Sequence, residues 1–268
     1  MKKIKMIKNR NLFSFLSGGA VASLGGLIGL GGAEFRLPIL VGFFAFGTIT
    51  AVIINKVVSL CVVLFSLIFR TNTIGFDLIL PEIDVIINIL IGSLFGAYLG
   101  ANYALKIKQE LLNKIILVLL VLLAFSMLFG HSYLEASKPL FENSVILFIS
   151  GVVAEVLIGV IAAVLGGEFI IPTLILLFGI EPKLAGSISL CISFPTMIMA
   201  FTRYSRSEQF KDILKEKTFI LYMIFGSIIG AFIGSLLLEY VNSQYIALIL
   251  GFILLVSAWK VFKAEQQK

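Results

Sequence analysis

Two short stretches of the chain carry residue types that could bind an ion: clustered glycines, a glutamate and a proline. The first reads GLGGAEFRLP at residues 29–38, and the second reads GGEFIIP at residues 166–172. Glycine and proline both weaken a helix. Each stretch therefore predicts a helix break beside an ionisable side chain, Glu34 in the first stretch and Glu168 in the second.

The broken backbone is the first candidate for ion binding. A helix that begins after a break presents free N–H groups and the positive end of its dipole, and both attract anions. The predicted binding groups are the backbone amides near Gly31, Gly32, Gly166 and Gly167. A functional interpretation is favoured because a charge and a proline accompany these glycines.

Polar side chains close to the first break favour an anion as the bound solute. Arg36 has no counterpart in the second stretch, where Ile170 stands, and Lys56 lies within the next apolar segment. A bidentate Arg and a point-charge Lys both suit oxyanions. The alternative is a local ion pair of either cation with Glu34. Three further side chains complete the predicted substrate-binding set: Asn55, Ser59 and Ser189.

The two glutamates are candidate proton carriers. A charge inside a bilayer costs at least ~2.5 kcal/mol, so such a group normally faces a cavity or a partner. We expect Glu168 to be the better carrier, because Arg36 would hold Glu34 ionised and no cation lies within four residues of Glu168. The alternative for both is a structural role in capping the helix after the break.

Three other polar residues interrupt or end apolar segments. Glu155 and Asn88 lie within such segments, and the sequence predicts no partner for either. Arg70 ends its segment, and at that place the guanidinium is predicted to reach back to the membrane interface.

The composition identifies a membrane protein. Hydrophobic residues make up 59% of the chain and charged residues only 13%, whereas about a quarter of an ordinary soluble domain is charged. No stretch between the apolar segments is long enough for a folded domain, so the chain is predicted not to be an enzyme. His131 is the only histidine, and neither a metal site nor a cofactor is predicted.

The net charge of +6 does not predict nucleic-acid binding, because the basic residues cluster at segment ends. There they suit the cytoplasmic face of a bilayer, which is the predicted partner surface. The basic start of the chain and the lysines of its last residues place both termini in the cytoplasm. The sequence predicts no oligomeric state.

The chain contains two copies of one unit. Glu34 corresponds to Glu168, and a glycine series repeats at the same offset: Gly92, Gly96 and Gly100 correspond to Gly226, Gly230 and Gly234. The spacing of four is the pattern of close helix packing through small residues. The predicted domains are a first membrane repeat at 1–130, an extracytoplasmic link at 131–143 and a second membrane repeat at 144–268.

The first apolar stretch, 11–46, is too long for one crossing of ~20 residues and short for two. Its central glycines therefore predict a hairpin that enters, breaks and turns back, as a re-entrant hairpin or as two short tilted spans. The other predicted apolar segments are 49–69, 85–105, 115–129, 144–180, 184–201, 218–238 and 245–261. The fold class is all-α and polytopic, with a broken hairpin and three transmembrane helices in each repeat.

Charge distribution supports the hairpin. If the first stretch returns to its own side, the basic loops near 106–114 and 203–217 both lie inside and the acidic loop 77–84 lies outside. Each half then changes sides, so the two copies form an inverted repeat. Broken helices at matching places of an inverted repeat are typical of secondary transporters, whose substrate site lies near the bilayer midplane.

Alternating-access transport of an anion is therefore the predicted function. One alternative is an anion channel on the same scaffold, which stoichiometric proton coupling would argue against. The other is a non-transport membrane subunit that scaffolds partners, with the basic loop 203–217 as its docking site.

The motifs also resemble a known family. The segment at 29–38, the sequence Asn-Lys-x-x-Ser-Leu at 55–60 and the degenerate second copy at 166–172 resemble the sulfite exporter TauE/SafE family of membrane permeases. The resemblance covers nearly the whole chain. It implies a multi-pass anion transporter of the plasma membrane, an exporter of sulfite, organosulfonates or related organic anions. The second copy lacks the Gly-x-Gly-Gly run and the arginine, which argues against a symmetric site for two anions.

Overall fold

The structure, a computed structural model, describes residues 9–103, 139–162, 169–206 and 210–266, together with residues 117, 118, 121, 124, 125 and 128. Every regular element in this part of the chain is a helix, which confirms the all-α class. Five helical stretches among the described residues are long and apolar enough to span a membrane: Arg10–Ile28, Thr50–Arg70, Phe76–Leu99, Pro182–Thr202 and Lys217–Tyr240.

The helices of the first half follow the predicted segments closely. They are α1 (Arg10–Ile28), α2 (Ala33–Pro38), a π-helical turn (Ile39–Phe43), α3 (Thr48–Arg70), α4 (Phe76–Ile79), a 3-10 turn (Leu80–Glu82) and α5 (Ile83–Tyr103). Proline has no N–H to donate, and after Pro38 the helix widens so that Phe44 N–H donates to the Ile39 carbonyl at 3.0 Å.

The second half continues with the same kinds of element. They are α6 (Ser144–Ala162), α7 (Ile170–Phe178), α8 (Pro182–Tyr204), α9 (Phe210–Lys215), α10 (Lys217–Tyr240) and α11 (Ser243–Gln266). The predicted segment 115–129 and the link 131–143 lie largely outside the described residues. The sequence does not predict α4 and α9, because helices of 4 and 6 residues are too short for a hydrophobic period to register.

The predicted first break lies between α1 and α2. Gly29 and Gly32 have φ angles of +95° and +66°, which L side chains rarely adopt. A side chain on Gly29 would also collide with the backbone of Gly186 in α8. After the break the chain runs back along α1, since the rings of Phe43 and Phe13 lie 5.9 Å apart. The two limbs thus form the predicted hairpin, and α1 alone is long enough to span a membrane.

The helix bounds repeat with the offset seen in the sequence. The two ends of α6 follow those of α1 by the offset that separates Glu168 from Glu34, and the two ends of α8 follow those of α3 by the same offset. The starts of α9 and α10 are related in this way to those of α4 and α5.

The two halves interlock. The first helix of each half packs against the other half, α1 against α10 and α6 against α5. Glycines allow this contact, because a Cβ on Gly230 or Gly234 would collide with the backbone of Gly19 or Ser23, and one on Gly96 would lie 2.7 Å from Gly159 Cα. The predicted role of the glycine series in close helix packing is therefore confirmed for these three glycines.

The equivalent helices α3 and α8 run in opposite directions. At one end the Arg70 guanidinium of α3 donates to the Lys183 carbonyl at the start of α8, at 2.7 Å. Further from that end, Val63 of α3 packs in one apolar cluster with Leu190 and Met197 of α8. The end of α3 is thus beside the beginning of α8.

Candidate functional site

Arg36 is the centre of the candidate site. Helix α2 carries it away from the break, and its side chain is only 1% exposed. One guanidinium nitrogen, Nη1, donates to Asn55 Oδ1 at 3.2 Å and to Ser59 Oγ at 2.7 Å. The other, Nη2, donates to the Gly31 carbonyl at 3.3 Å. Four residues that the sequence predicts to bind substrate therefore lie in one hydrogen-bonded group.

Asn55 and Ser59 lie one turn apart on α3, so both side chains face the hairpin. The Asn55 amide also donates to the Ala33 carbonyl at 2.9 Å, which joins α3 to the first turn of α2. Ser59 is the middle residue of α3, and a Cβ on Gly31 would lie 3.4 Å from Ser59 Cβ. The break is therefore beside the midpoint of a membrane-spanning helix.

Two more of the predicted site residues are neighbours of this group along the chain. Lys56 follows Asn55 on α3, and its side chain is buried, with 2% exposed. The backbone of Glu34 belongs to the first turn of α2, but its side chain lies outside the described residues. Pairing of Glu34 with either cation stays a prediction.

Ser189 connects the second half to the tip of the first hairpin. Its Oγ lies 2.6 Å from the Gly29 carbonyl, which it bonds in preference to the Gly186 carbonyl at 3.0 Å. Ser189 thus lies at the break but is bonded to a different glycine from the one that Arg36 contacts. Gly166, Gly167 and Glu168 lie outside the described residues, so their predicted roles stay predictions.

The prediction for Arg70 is wrong. Its side chain does not reach the interface but is 1% exposed, and its Nη1 donates to the Gly26 and Leu27 carbonyls at the end of α1, both at 2.9 Å. Its Nε donates to Ser187 Oγ at 3.0 Å. The helix ends before these carbonyls find backbone donors, so a cation there satisfies them and the negative end of the dipole.

The sequence contains one signal that could have identified Arg70. Its repeat counterpart is Tyr204, just as the counterpart of Arg36 is Ile170. Both buried arginines are therefore cations that only the first half has, and each contacts one side of the first break.

The Arg36 group has the chemistry of an oxyanion site. Its planar guanidinium presents several donors in a rigid fork that matches the geometry of oxyanions. The amide of Asn55 and the hydroxyl of Ser59 hold that fork in one orientation. Among the described residues, no group of three or more His, Cys, Asp or Glu side chains could hold a metal ion.

A family model matches the chain in comparison with known proteins. The family model described as Sulfite exporter TauE/SafE matches residues 2–142 and 145–268, which together make up nearly the whole chain. No curated protein and no solved structure matches the chain.

Proposed function

The chain belongs to the sulfite exporter TauE/SafE family. We propose that it is a secondary transporter that exports small anions. Sulfite, organosulfonates and related organic anions are the proposed substrates. The proposed mechanism is alternating access across the plasma membrane, with the substrate held between the two hairpin tips.

The buried arginine beside the first break carries this proposal. A cation buried beside the midpoint of a spanning helix is expensive and in membrane proteins normally lines a substrate or ion pathway. Arg36 is buried, is held in place by Asn55 and Ser59, and bonds the carbonyl of Gly31 within the break itself. A small oxyanion would receive charge-assisted hydrogen bonds from this group.

Backbone groups complete the proposed site. Amides near Gly31 and Gly32 would hold substrate oxygens from the first hairpin, and amides near Gly166 and Gly167 would do so from the second. Lys56, buried next to Asn55 on α3, would balance the charge of the anion. The contact of Ser189 with Gly29 supports a site shared between halves, since it joins α8 to the first tip.

The repeat supports alternating access. Antiparallel packing of the equivalent helices α3 and α8 is what an inverted repeat requires, and rocking of inverted repeats around a central site is a common transport mechanism. The membrane potential alone favours exit of an anion by ~2.3 kcal/mol per charge per 100 mV. Glu34 and Glu168 are the proposed proton carriers if a proton gradient also contributes.

The proposed orientation places both termini and the loop 203–217 in the cytoplasm. We expect Ser137→Cys to react with an impermeant thiol reagent added outside intact cells, in a background without Cys61 and Cys191. Ser207→Cys should react only after the membrane is permeabilised. The opposite labelling pattern would show that the orientation is reversed.

Transport by the purified chain tests the proposed function. We expect vesicles that contain only this chain to take up labelled sulfite or sulfoacetate faster than empty vesicles, with saturation and with acceleration by unlabelled anion on the other side. A panel of carboxylates would define the substrate class. Flux without saturation or exchange would favour a channel, and activity that appears only with another chain would favour a scaffold subunit.

A further inference from the structure

A buried ionisable group lies away from the Arg36 site, at the contact between α5 and α6. Glu155 of α6 is fully buried, and its Oε2 accepts a hydrogen bond from Ser93 Oγ of α5 at 2.7 Å. The helices come close enough for this bond because Gly92 has no side chain: a Cβ there would lie 2.6 Å from Glu155 Cβ. The carboxyl group is thus held between the two halves of the chain.

The other carboxyl oxygen lacks a donor. Among the described residues Glu155 Oε1 has no hydrogen-bond partner. The nearby hydroxyl is that of Thr173 in α7, but its hydrogen is engaged, since Thr173 Oγ1 donates to the Phe169 carbonyl at 2.9 Å. Thr173 can therefore offer only lone pairs to the carboxyl group.

Among the described residues, α5 and α7 have the most extensive packing against α6, and neither contains a cation. Helix α7 has no charged residue, and the only one in α5 is Asp84. Asp84 is exposed in the first turn, ~13 Å along the helix from Ser93. Two described polar groups beside the carboxyl are the hydroxyls of Ser93 and Thr173.

These contacts suit a neutral carboxylic acid. An ionised carboxylate accepts at both oxygens, and leaving one buried oxygen without a donor is costly. A protonated Oε1 would instead donate to the lone pairs of Thr173 while Oε2 keeps its bond from Ser93. We propose that Glu155 is a proton-binding site of the transporter, loaded in this conformation and unloaded when α6 separates from α5. The coupling part of the proposal depends on the proposed transport function.

The repeat gives this site a position as well as a chemistry. The counterparts of Glu155, Ser93 and Thr173 are Val21, Ser227 and Ile39. The serine is therefore present in both halves, whereas the acid is present only in the second. Arg36 is present only in the first. The arginine of the proposed anion site and the acid of the proposed proton site thus lie in different halves of the chain.

Infrared spectroscopy tests proton binding without any substrate. The purified chain in vesicles should show the carbonyl stretch of a protonated carboxylic acid, and this band should be lost in Glu155→Gln and lost at high pH in the unmodified chain. Glu239→Gln, which changes an exposed glutamate, should retain it. An unchanged band in Glu155→Gln, or no such band at any pH, would overturn the proposal. Glu155→Asp keeps a carboxyl group at this position, so it should show a carboxylic acid band that Glu155→Gln lacks.

Flux of a substrate whose own charge does not change with pH tests coupling. Sulfoacetate is suitable near neutral pH, where both its sulfonate and its carboxylate are ionised. In Glu155→Gln we expect exchange of labelled for unlabelled anion to continue and the dependence on an imposed pH gradient to disappear. Ser227→Ala should keep the gradient dependence. Loss of that dependence in Glu168→Gln but not in Glu155→Gln would assign coupling to Glu168 instead. If the unmodified chain moves no anion, the transport proposal fails while the infrared result still decides proton binding at Glu155.

Discussion

Replacing Arg36 by glutamine should weaken anion binding by roughly 10- to 150-fold, because a hydrogen bond to a charged group contributes about 1.5–3 kcal/mol. Glutamine retains a polar side chain near Asn55 and Ser59 but has neither the charge nor the fork of donors. The measurement is the concentration of sulfite or sulfoacetate that gives half-maximal uptake into vesicles.

Two variants separate binding at Arg36 from a general effect of charge. Arg36→Lys keeps the charge but loses the planar fork, so its affinity should lie between those of the unmodified chain and the glutamine variant. Arg10→Gln removes a half-exposed arginine whose Nη1 lies 3.0 Å from Glu216 Oε2. It should leave the affinity unchanged, because Arg10 is at the opposite end of α1 from the break. Equal losses in Arg36→Gln and Arg10→Gln would remove Arg36 from the site.

Replacing Arg70 by methionine should lower the free energy of unfolding by at least about 2 kcal/mol, because each buried acceptor left unpaired costs about 1–3 kcal/mol. The carbonyls of Gly26 and Leu27 would lose their donor, whereas the Lys183 carbonyl in the first turn of α8 keeps its partner within the helix. In a continuous helix the Leu30 N–H would donate to the Gly26 carbonyl, but here it donates to the Gly25 carbonyl at 2.8 Å. The end of α1 would therefore have carbonyls facing an apolar interior.

Thermal unfolding of the purified chain in detergent measures this loss. Arg206→Met is the matched control, because Arg206 is exposed in the turn after α8 and its removal should change stability by less than about 0.5 kcal/mol. Similar unfolding temperatures for the two variants would show that Arg70 does not hold α1 to α8. Gly186→Ala should share the defect of Arg70→Met, since its Cβ would lie 2.7 Å from Arg70 Nη2.

The two arginines hold the first hairpin to the helices beside it. Arg70 satisfies the last carbonyls of the limb that ends at the break, and Arg36 contacts the break from the limb that follows it. Arg70 donates mainly to backbone carbonyls at the junction of the two halves. Arg36 donates mainly to side chains near the middle of α3. Loss of Arg70 should therefore appear mainly as instability, and loss of Arg36 mainly as weak binding.

Composition and spacing alone determine the membrane class, the duplication and the place of the first break. These are local or periodic properties: apolar runs of spanning length, one constant offset between the two copies, and glycines that permit φ angles of +95° and +66°. The sequence also predicts that Asn55 and Ser59 belong to one site with Arg36. Residues four apart on a helix share a face, so both side chains of α3 can contact the same group.

Only the tertiary structure decides what the other buried polar groups do. The partners of Arg70 lie 43 to 117 residues away along the chain, and Ser93 lies 62 residues from Glu155. No local pattern encodes such distances, since each depends on how closely the two halves approach through their glycines. An arginine at the end of an apolar segment has the same sequence signature whether it reaches the interface or caps a buried helix end, and the packing of α1 against α3 and α8 selects the second.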